Sequence, residues 1–355
     1  MSERLKTNIL EIKNNEHVDV FAKYLFNNVG GAEKSTYELL KIIEKSGKKN
    51  ITLHGIHSNK FGEYFYDKDF LESFGAINNI KNTISISRFP LWEYLINRQK
   101  LINEGSEKDS DILWTYGIFG PAFALNYRKK VIFFIRSETD LGQFMNYKNG
   151  FERILKYIHQ LIEFIPLMVL RHDLKKVLKK AVVVTNSKFM AEKAKELYAV
   201  DSTVIYPQVN IEQIKQSKKF KETKKDKIVF VGDSNVKGMQ IVKDLAKKFP
   251  DETFIIFSRF VQKEESHYNI YYKKWVTDNA NLYSSAKIVL VPSQWEEAYG
   301  RVAREAYLLD LKVLVSRIGG LSEAVENNDS YLVNNYRDID SWEEKLKKLI
   351  EEINK

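Results

Sequence analysis

The feature that most constrains this chain is a rhythm that runs through it twice. Short β-branched runs alternate with helix-length stretches, first from "HVDVFA" (17–22) through "NITLHGI", "DILWTYG", "KVIFFIR" and "AVVVTNS" to "TVIYP" (203–207). The alternation then lapses, and seven lysines occupy positions 215 to 227. It restarts at "KIVFVG" (227–232) and continues through "TFIIFS", "NIYYKKWV", "KIVLVPS" and "KVLVS". Such alternation predicts parallel strands joined by crossover helices, an α/β fold. With 355 residues there is material for two cores, so the reading is two doubly wound domains. Ligands of such sheets gather at the carboxyl ends of the strands, which places the expected site in a cleft between the domains. The lysine run reads as a solvated linker.

Composition narrows the function. The chain has no cysteine, which excludes disulfides, thiolate metal sites and a cysteine nucleophile, and is in keeping with a reducing compartment. The N-terminus lacks the apolar core of a signal peptide. No stretch reaches the roughly 18 to 20 apolar residues that span a bilayer; the longest run, "LIEFIPLMVL" (161–170), carries Glu163 and Pro166. The expectation is a cytoplasmic protein. A net charge of +9 suits nucleic acid, an anionic membrane or phosphorylated small molecules, and equally an ordinary solvated surface. No nucleic-acid-binding motif accompanies it, so nucleic acid is not an expected partner. The stretch 150–180 sets Phe151, Ile154, Leu155 and Ile158 among Lys156, Arg171, Lys175 and Lys176. It reads either as an interfacial helix on the inner face of a membrane or as packing on the first sheet.

In the second half, "EEAYGRVARE" (296–305) follows the strand "KIVLVPS". If Gly300 opens a helix, the free N–H groups there attract an anion such as a phosphate, and glycine lets it approach the backbone. Glu297 and Glu305 can then accept hydroxyl donors flanking that anion. A nucleoside diphosphate sugar has this layout; a surface glutamate cluster on an ordinary amphipathic helix is the plain alternative.

The stretch "PSQWEEAYGRVAREAYLLDLKVLVSRIGGLSEAV" resembles the donor-site signature of the family-4 glycosyltransferases of GT-B fold, in which two glutamates eight positions apart follow a strand end. The resemblance implies Glu297 near the donor sugar, Glu305 on the ribose, and donor contacts at Tyr299, Gly300 and Arg301. Gly319, Gly320 and Glu323 fall on the downstream glycine motif, which could also be a tight strand-to-helix turn. "LLDLKVLVS" departs from the family's usual glycine-and-proline turn before the strand. "FVGDSNVKGMQ" resembles the segment that meets the diphosphate: Lys237 and Gly238 match, whereas Asp233 stands where relatives carry arginine. Arg259 and Arg301 are candidate replacements, with surface ion pairs as the alternative.

In the first half, "FNNVGGAEKSTYELL" resembles the family's N-terminal loop, with Gly30 and Gly31 against the donor. Many relatives have a histidine after the strand equivalent to "KVIFFIR"; here Arg136 occupies that place. Arg136 is a candidate for steadying charge on the donor, and a loop-holding salt bridge to Glu138 or Asp140 is the alternative. His54 and His57 read as loop residues, and Asp109-Ser110-Asp111 as solvated strand entry rather than a metal site.

The resemblance implies a GT-B protein with two Rossmann-like domains, residues 1–206 on the acceptor side and 207–337 on the donor side. Helix 338–355 is expected to cross back to the first domain. It implies a retaining, metal-independent hexosyltransferase without a cofactor, in which Glu297, Arg136 and Lys237 act on a UDP- or GDP-linked sugar. The acceptor would be a hydroxyl of a glycan or lipid-linked molecule in surface polysaccharide or glycoconjugate synthesis. The alternatives are a nucleotide-sugar epimerase or hydrolase, and a non-enzymatic basic scaffold on membrane or nucleic acid.

Overall fold

The structure, a computed structural model, describes residues 16–23, 25, 35–41, 50–56, 78–81, 83–86, 89–143, 161–209, 211–232, 234–276 and 279–354. Gly30, Gly31, His57, Asp233 and the apolar positions 151–158 lie outside the described residues. The chain divides into two compact units, 1–208 and 209–355.

The first unit is built on β1 (Val18–Ala22), β2 (Ile51–Ile56), β3 (Asn78–Ile80), β4 (Ile112–Tyr116), β5 (Lys130–Ile135), β6 (Val182–Thr185) and β7 (Thr203–Val204). Their order is β3-β2-β1-β4-β5-β6-β7, and every pair is parallel. β1 and β4 are buried along their whole length, as strands covered on both faces must be. Crossover helices Pro90–Ser106 and Phe164–Lys180 lead into β4 and β6. The first opens with proline at its start, where a missing N–H costs nothing. His54 lies on β2 rather than in a loop: it is buried and bonded to Asp19 across 2.8 Å, so the strand absorbs it as a satisfied core polar pair. Asp109 and Asp111 do stand at the entry to β4, both ion-paired with Lys129.

The second unit repeats the plan with β8 (Lys227–Val231), β9 (Thr253–Ser258), β10 (Glu265–His267), β11 (Ile270–Lys274), β12 (Ala286–Val291), β13 (Lys312–Ser316) and β14 (Leu332–Val333). The order is β10-β11-β9-β8-β12-β13-β14, parallel except for the edge pair β10–β11. Because side chains alternate along a strand, each sheet face has its own core. Val229, Ile255, Val289 and Val313 fill one; Ile228, Phe254, Ile288 and Leu314 fill the other.

Two expectations change here. The C-terminal helix, Ile339–Asn354, belongs to the second unit: Trp342, Leu346 and Leu349, spaced along one helical face, complete the second of these cores. An apolar stripe binds the nearest uncovered sheet face, and here its own sheet supplies one. The lysine run is not a bare linker. It forms helices Ile211–Gln216 and Lys218–Glu222, which bury Ile214 and Phe220 while their lysines face solvent.

Candidate functional site

In each sheet the connections leave the central strand in opposite directions, so the carboxyl ends of β8 and β12 flank a topological switch point. The loops after these two strands are bound to each other. The Gln294 N–H donates to the Val236 carbonyl at 2.8 Å. Gly238 sits at φ +87° with the Pro292 carbonyl so near that a Cβ would lie 1.9 Å from its oxygen. Only glycine fits that backbone and that gap. A short 3-10 turn, Asn235–Lys237, ends at Gly238, and helix Met239–Lys248 begins there.

This contact brings Lys237 to Glu297. The lysine Nζ donates to Glu297 Oε1 at 2.6 Å, and the Ser293 hydroxyl donates to the same oxygen at 2.6 Å. The Glu297 side chain is only 14% exposed. Burial pushes its carboxyl up, but the charge and hydrogen bond of Lys237, with the bond from Ser293, outweigh burial and hold it below the ordinary range. The site thus holds a charged carboxylate and a cation within one hydrogen bond of each other. The Lys237 ammonium also lies 5.1 Å from the centre of the Trp295 ring.

The loop after β13 braces Glu297 from behind. Gly320 N–H donates to the Glu297 carbonyl at 2.7 Å. A Cβ on Gly320 would stand 2.3 Å from the Ala298 carbonyl oxygen, and one on Gly319 2.5 Å from that of Glu297. Gly319 and Gly320 therefore act here on the protein backbone. Gly300, at φ +92°, caps helix Arg301–Leu308 without any side-chain hydrogen bond. Glu305 is buried one turn in, accepting from the Tyr283 hydroxyl at 2.8 Å and from Arg301 at 3.4 Å. Burial, then Glu305, push the Tyr283 phenol well above its ordinary range, so it remains a donor. Tyr299 is buried beside this helix in the core under β12.

In the first unit, Arg136 follows β5 at the carboxyl edge of its sheet. Its guanidinium lies 4.6 Å from the Tyr116 ring centre and 4.7 Å from that of Phe134, and Nη1 donates to the Thr36 hydroxyl. The side chain is buried. Asp140 Oδ2 accepts the backbone N–H groups of Arg136 (2.7 Å) and Ser137 (2.9 Å), while Glu138 pairs with Lys193. Thr36 lies on the helical stretch 35–41, just past the segment containing Gly30 and Gly31. Among the described residues no three acids and histidines cluster as metal ligands.

Sequence reasoning missed Ser293 as a partner of Glu297, although the four-residue spacing and the strand end were visible. It also missed Tyr283 and Thr36, which lie 22 and 100 residues from the side chains they touch and carry no local signal.

Comparison with known proteins matches this architecture. Residues 210–355 fit the family model described as glycosyl transferases group 1. The second unit therefore resembles the group 1 glycosyltransferases, and the chain as a whole has the GT-B fold. Sucrose-phosphate synthase from Thermosynechococcus elongatus superposes with a TM-score of 0.71 at 12% identity, over 95% of this chain and 90% of that one. HepE of Anabaena, solved with UDP and glucose, gives 0.62 at 15% identity over 96% and 91%. WaaG, a glycosyltransferase involved in lipopolysaccharide biosynthesis, gives 0.62 at 13% identity over 94% and 90%. No curated protein sequence matches the chain.

Proposed function

We propose that the protein transfers a hexose from a nucleoside diphosphate donor to a hydroxyl of a glycan or lipid-linked acceptor, with retention of configuration, at the cytoplasmic side of the cell. The observation that carries this reading is the Lys237–Glu297 pair at the switch point of a group 1 glycosyltransferase domain. HepE was solved with UDP and glucose, which supports a donor of that chemical class; UDP is the base we favour over GDP.

In this reading the diphosphate lies against the N-terminus of helix Arg301–Leu308, whose start carries no side-chain cap hydrogen bond. Lys237 turns from Glu297 towards the β-phosphate and stabilises the charge that develops as the sugar leaves. Glu297, released on one oxygen, accepts hydroxyls of the transferring sugar. Glu305 accepts the ribose hydroxyls. Arg136, at the carboxyl edge of the first sheet, is proposed as a second cation in the reaction. Cations and helix N-termini then supply the charge stabilisation that a metal provides elsewhere, so no metal is required.

The test is thermal shift and calorimetry with a panel of UDP- and GDP-sugars, since a bound donor raises apparent stability by mass action. One sugar nucleotide should stand out and should lose its effect in Glu297→Gln. Absence of stabilisation by any nucleotide sugar would refute the reading. Donor consumption at full rate with no acceptor would instead identify a hydrolase or epimerase.

A further inference from the structure

A cavity of about 330 Å³ opens in the first unit between its edge strand β3 and helix Pro90–Ser106. Three lysines line it, Lys81, Lys100 and Lys108, against a single carboxylate, Glu104. Lys100 and Glu104 lie one helical turn apart, and Lys108 follows at the same spacing just past the helix end. Lys81 comes from the other wall, directly after β3. The walls touch where the Lys100 ammonium donates to the Lys81 carbonyl. Little neutralises this charge. Glu104 approaches Lys108 only to 4.0 Å, and the Lys81 ammonium has no acidic partner among the described residues.

The third wall is buried. His54 lies on β2 opposite Asn78 on β3, and both border the cavity. Only 3% of His54 is exposed. Asp19 takes one imidazole nitrogen, Nε2, at 2.8 Å and also accepts the Ser110 hydroxyl. Burial pushes the Asp19 carboxyl up, but the bonds from His54 and Ser110 outweigh it and hold the group below its ordinary range. A charged Asp19 can only accept, so the proton of this contact sits on Nε2. Nδ1 has no hydrogen-bond partner among the described residues, although an imidazole this buried rarely leaves a nitrogen unused. Gly105 fixes the frame: a Cβ there would stand 1.9 Å from the Phe123 carbonyl oxygen, so the helix seats directly on the backbone beneath it.

We propose that this cavity binds a small phosphate monoester: the lysines hold the phosphate, and Asn78 and His54 Nδ1 take hydroxyls of the molecule that carries it. The charge selects the ligand class. Against Glu104 the three lysines leave an excess of two positive charges. A monoester carries about −1.5 to −2 near neutral pH, spread over three acceptor oxygens. A carboxylate, with one charge, would leave an ammonium uncompensated. Lysine suits phosphate as a point charge. The cavity is at the small end of ligand sites, with room for a monosaccharide rather than a nucleotide. A membrane or nucleic acid presents its phosphates on an extended surface, which cannot reach an imidazole in the buried wall. In the sheet order β2 stands three places from β5, the strand that leads into Arg136. The inference therefore stands on the first unit alone and goes beyond the transfer reading.

The test is calorimetry and thermal shift on the full-length protein with glucose 6-phosphate, inorganic phosphate and glucose, in the absence of any nucleotide sugar. Glucose 6-phosphate should bind and raise the melting temperature by mass action. Inorganic phosphate should bind more weakly, and glucose should do neither. Lys81→Ala/Lys108→Ala should lower the affinity for glucose 6-phosphate about tenfold or more, as loss of charged hydrogen bonds does. His54→Gln should lower it by a smaller factor and leave inorganic phosphate unaffected; the lysine variant, altered at the cavity mouth, carries the test should His54→Gln unfold. Lys237→Ala should bind glucose 6-phosphate as wild type does, which separates this cavity from the second unit. Absence of binding by both phosphates, equal binding of glucose, or undiminished affinity in both cavity variants overturns the inference. Binding lost in Lys237→Ala and kept in the cavity variants also overturns it, assigning the phosphate to the donor side.

Discussion

The two sheets share a strand order but equip their carboxyl edges in opposite ways. The second joins an ammonium to a carboxylate in the open mouth of three glycine-bearing loops. The first presents one guanidinium held over two neighbouring aromatic rings, with its loop tied down through Asp140. A lysine on a single hydrogen-bonded contact can exchange that partner for a phosphate at modest cost. An arginine held over Tyr116 and Phe134 and bonded to Thr36 would, in the proposed reading, meet a ligand without moving, which is preorganisation. In the proposed reading one edge rearranges on binding and the other stays still.

The largest expected effect removes the mobile cation. Lys237→Ala should lower turnover by about 100- to 1,000-fold, as loss of one transition-state donor typically does. Lys225→Ala, whose Nζ donates to the Phe220 carbonyl in the helices before β8, should leave turnover close to wild type. Steady-state kinetics on both variants check this, and equal small losses would erase the difference between the edge and the surface.

Next comes the rigid cation. Arg136→Ala should cost about 100-fold in turnover, with Arg136→Lys recovering little, because a point charge replaces neither the planar stack nor the fork of donors. Near wild-type turnover in both variants would confine Arg136 to packing and make the first edge a scaffold.

Glu305→Gln keeps an acceptor for Tyr283 but removes the charge, and should weaken binding of free nucleoside diphosphate by about 1–3 kcal/mol in calorimetry. Unchanged affinity in the folded variant would take the ribose away from Glu305.

Glu297 gives a pH signature. Its carboxyl is held below the ordinary range by Lys237 against the opposing effect of burial. A depressed pKa contributes stability that is fully present above the ordinary glutamate value, about 4.3, and is lost as pH falls through the folded value. The melting-temperature gap between wild type and Glu297→Gln should therefore be flat from neutral pH down to that value and then close in acid. A gap that widens in acid would contradict the pairing. The smallest effect expected is that of EDTA: turnover should survive it, and loss restored by Mn²⁺ or Mg²⁺ would return attention to Asp109 and Asp111.

The same contrast explains what could be read beforehand. Part of the second site is written locally: Ser293 and Glu297, and Arg301 and Glu305, lie four residues apart, whereas Lys237 reaches Glu297 across 60 residues and was found through its own glycine-bearing segment. Strand alternation likewise revealed the long central strands of both sheets, whereas the short β3, β10 and β14 carry too few residues to show a pattern and were not read. The first site is assembled from Thr36, Tyr116, Phe134 and Arg136, which only the sheet order brings together. A stretch of sequence cannot announce a stacking partner that arrives from another strand. The C-terminal helix was misassigned for a related reason: an apolar stripe states that it must be covered and says nothing of which surface covers it.

The backbone clasp between the loops after β8, β12 and β13 has an evolutionary consequence. Gln294 to Val236 and Gly320 to Glu297 are main-chain hydrogen bonds, indifferent to the side chains at either end. Their geometry asks for glycine at Gly238, Gly319 and Gly320, where a Cβ has no room, and for little else. Neighbouring side chains can then change one at a time without dislodging the Lys237–Glu297 pair.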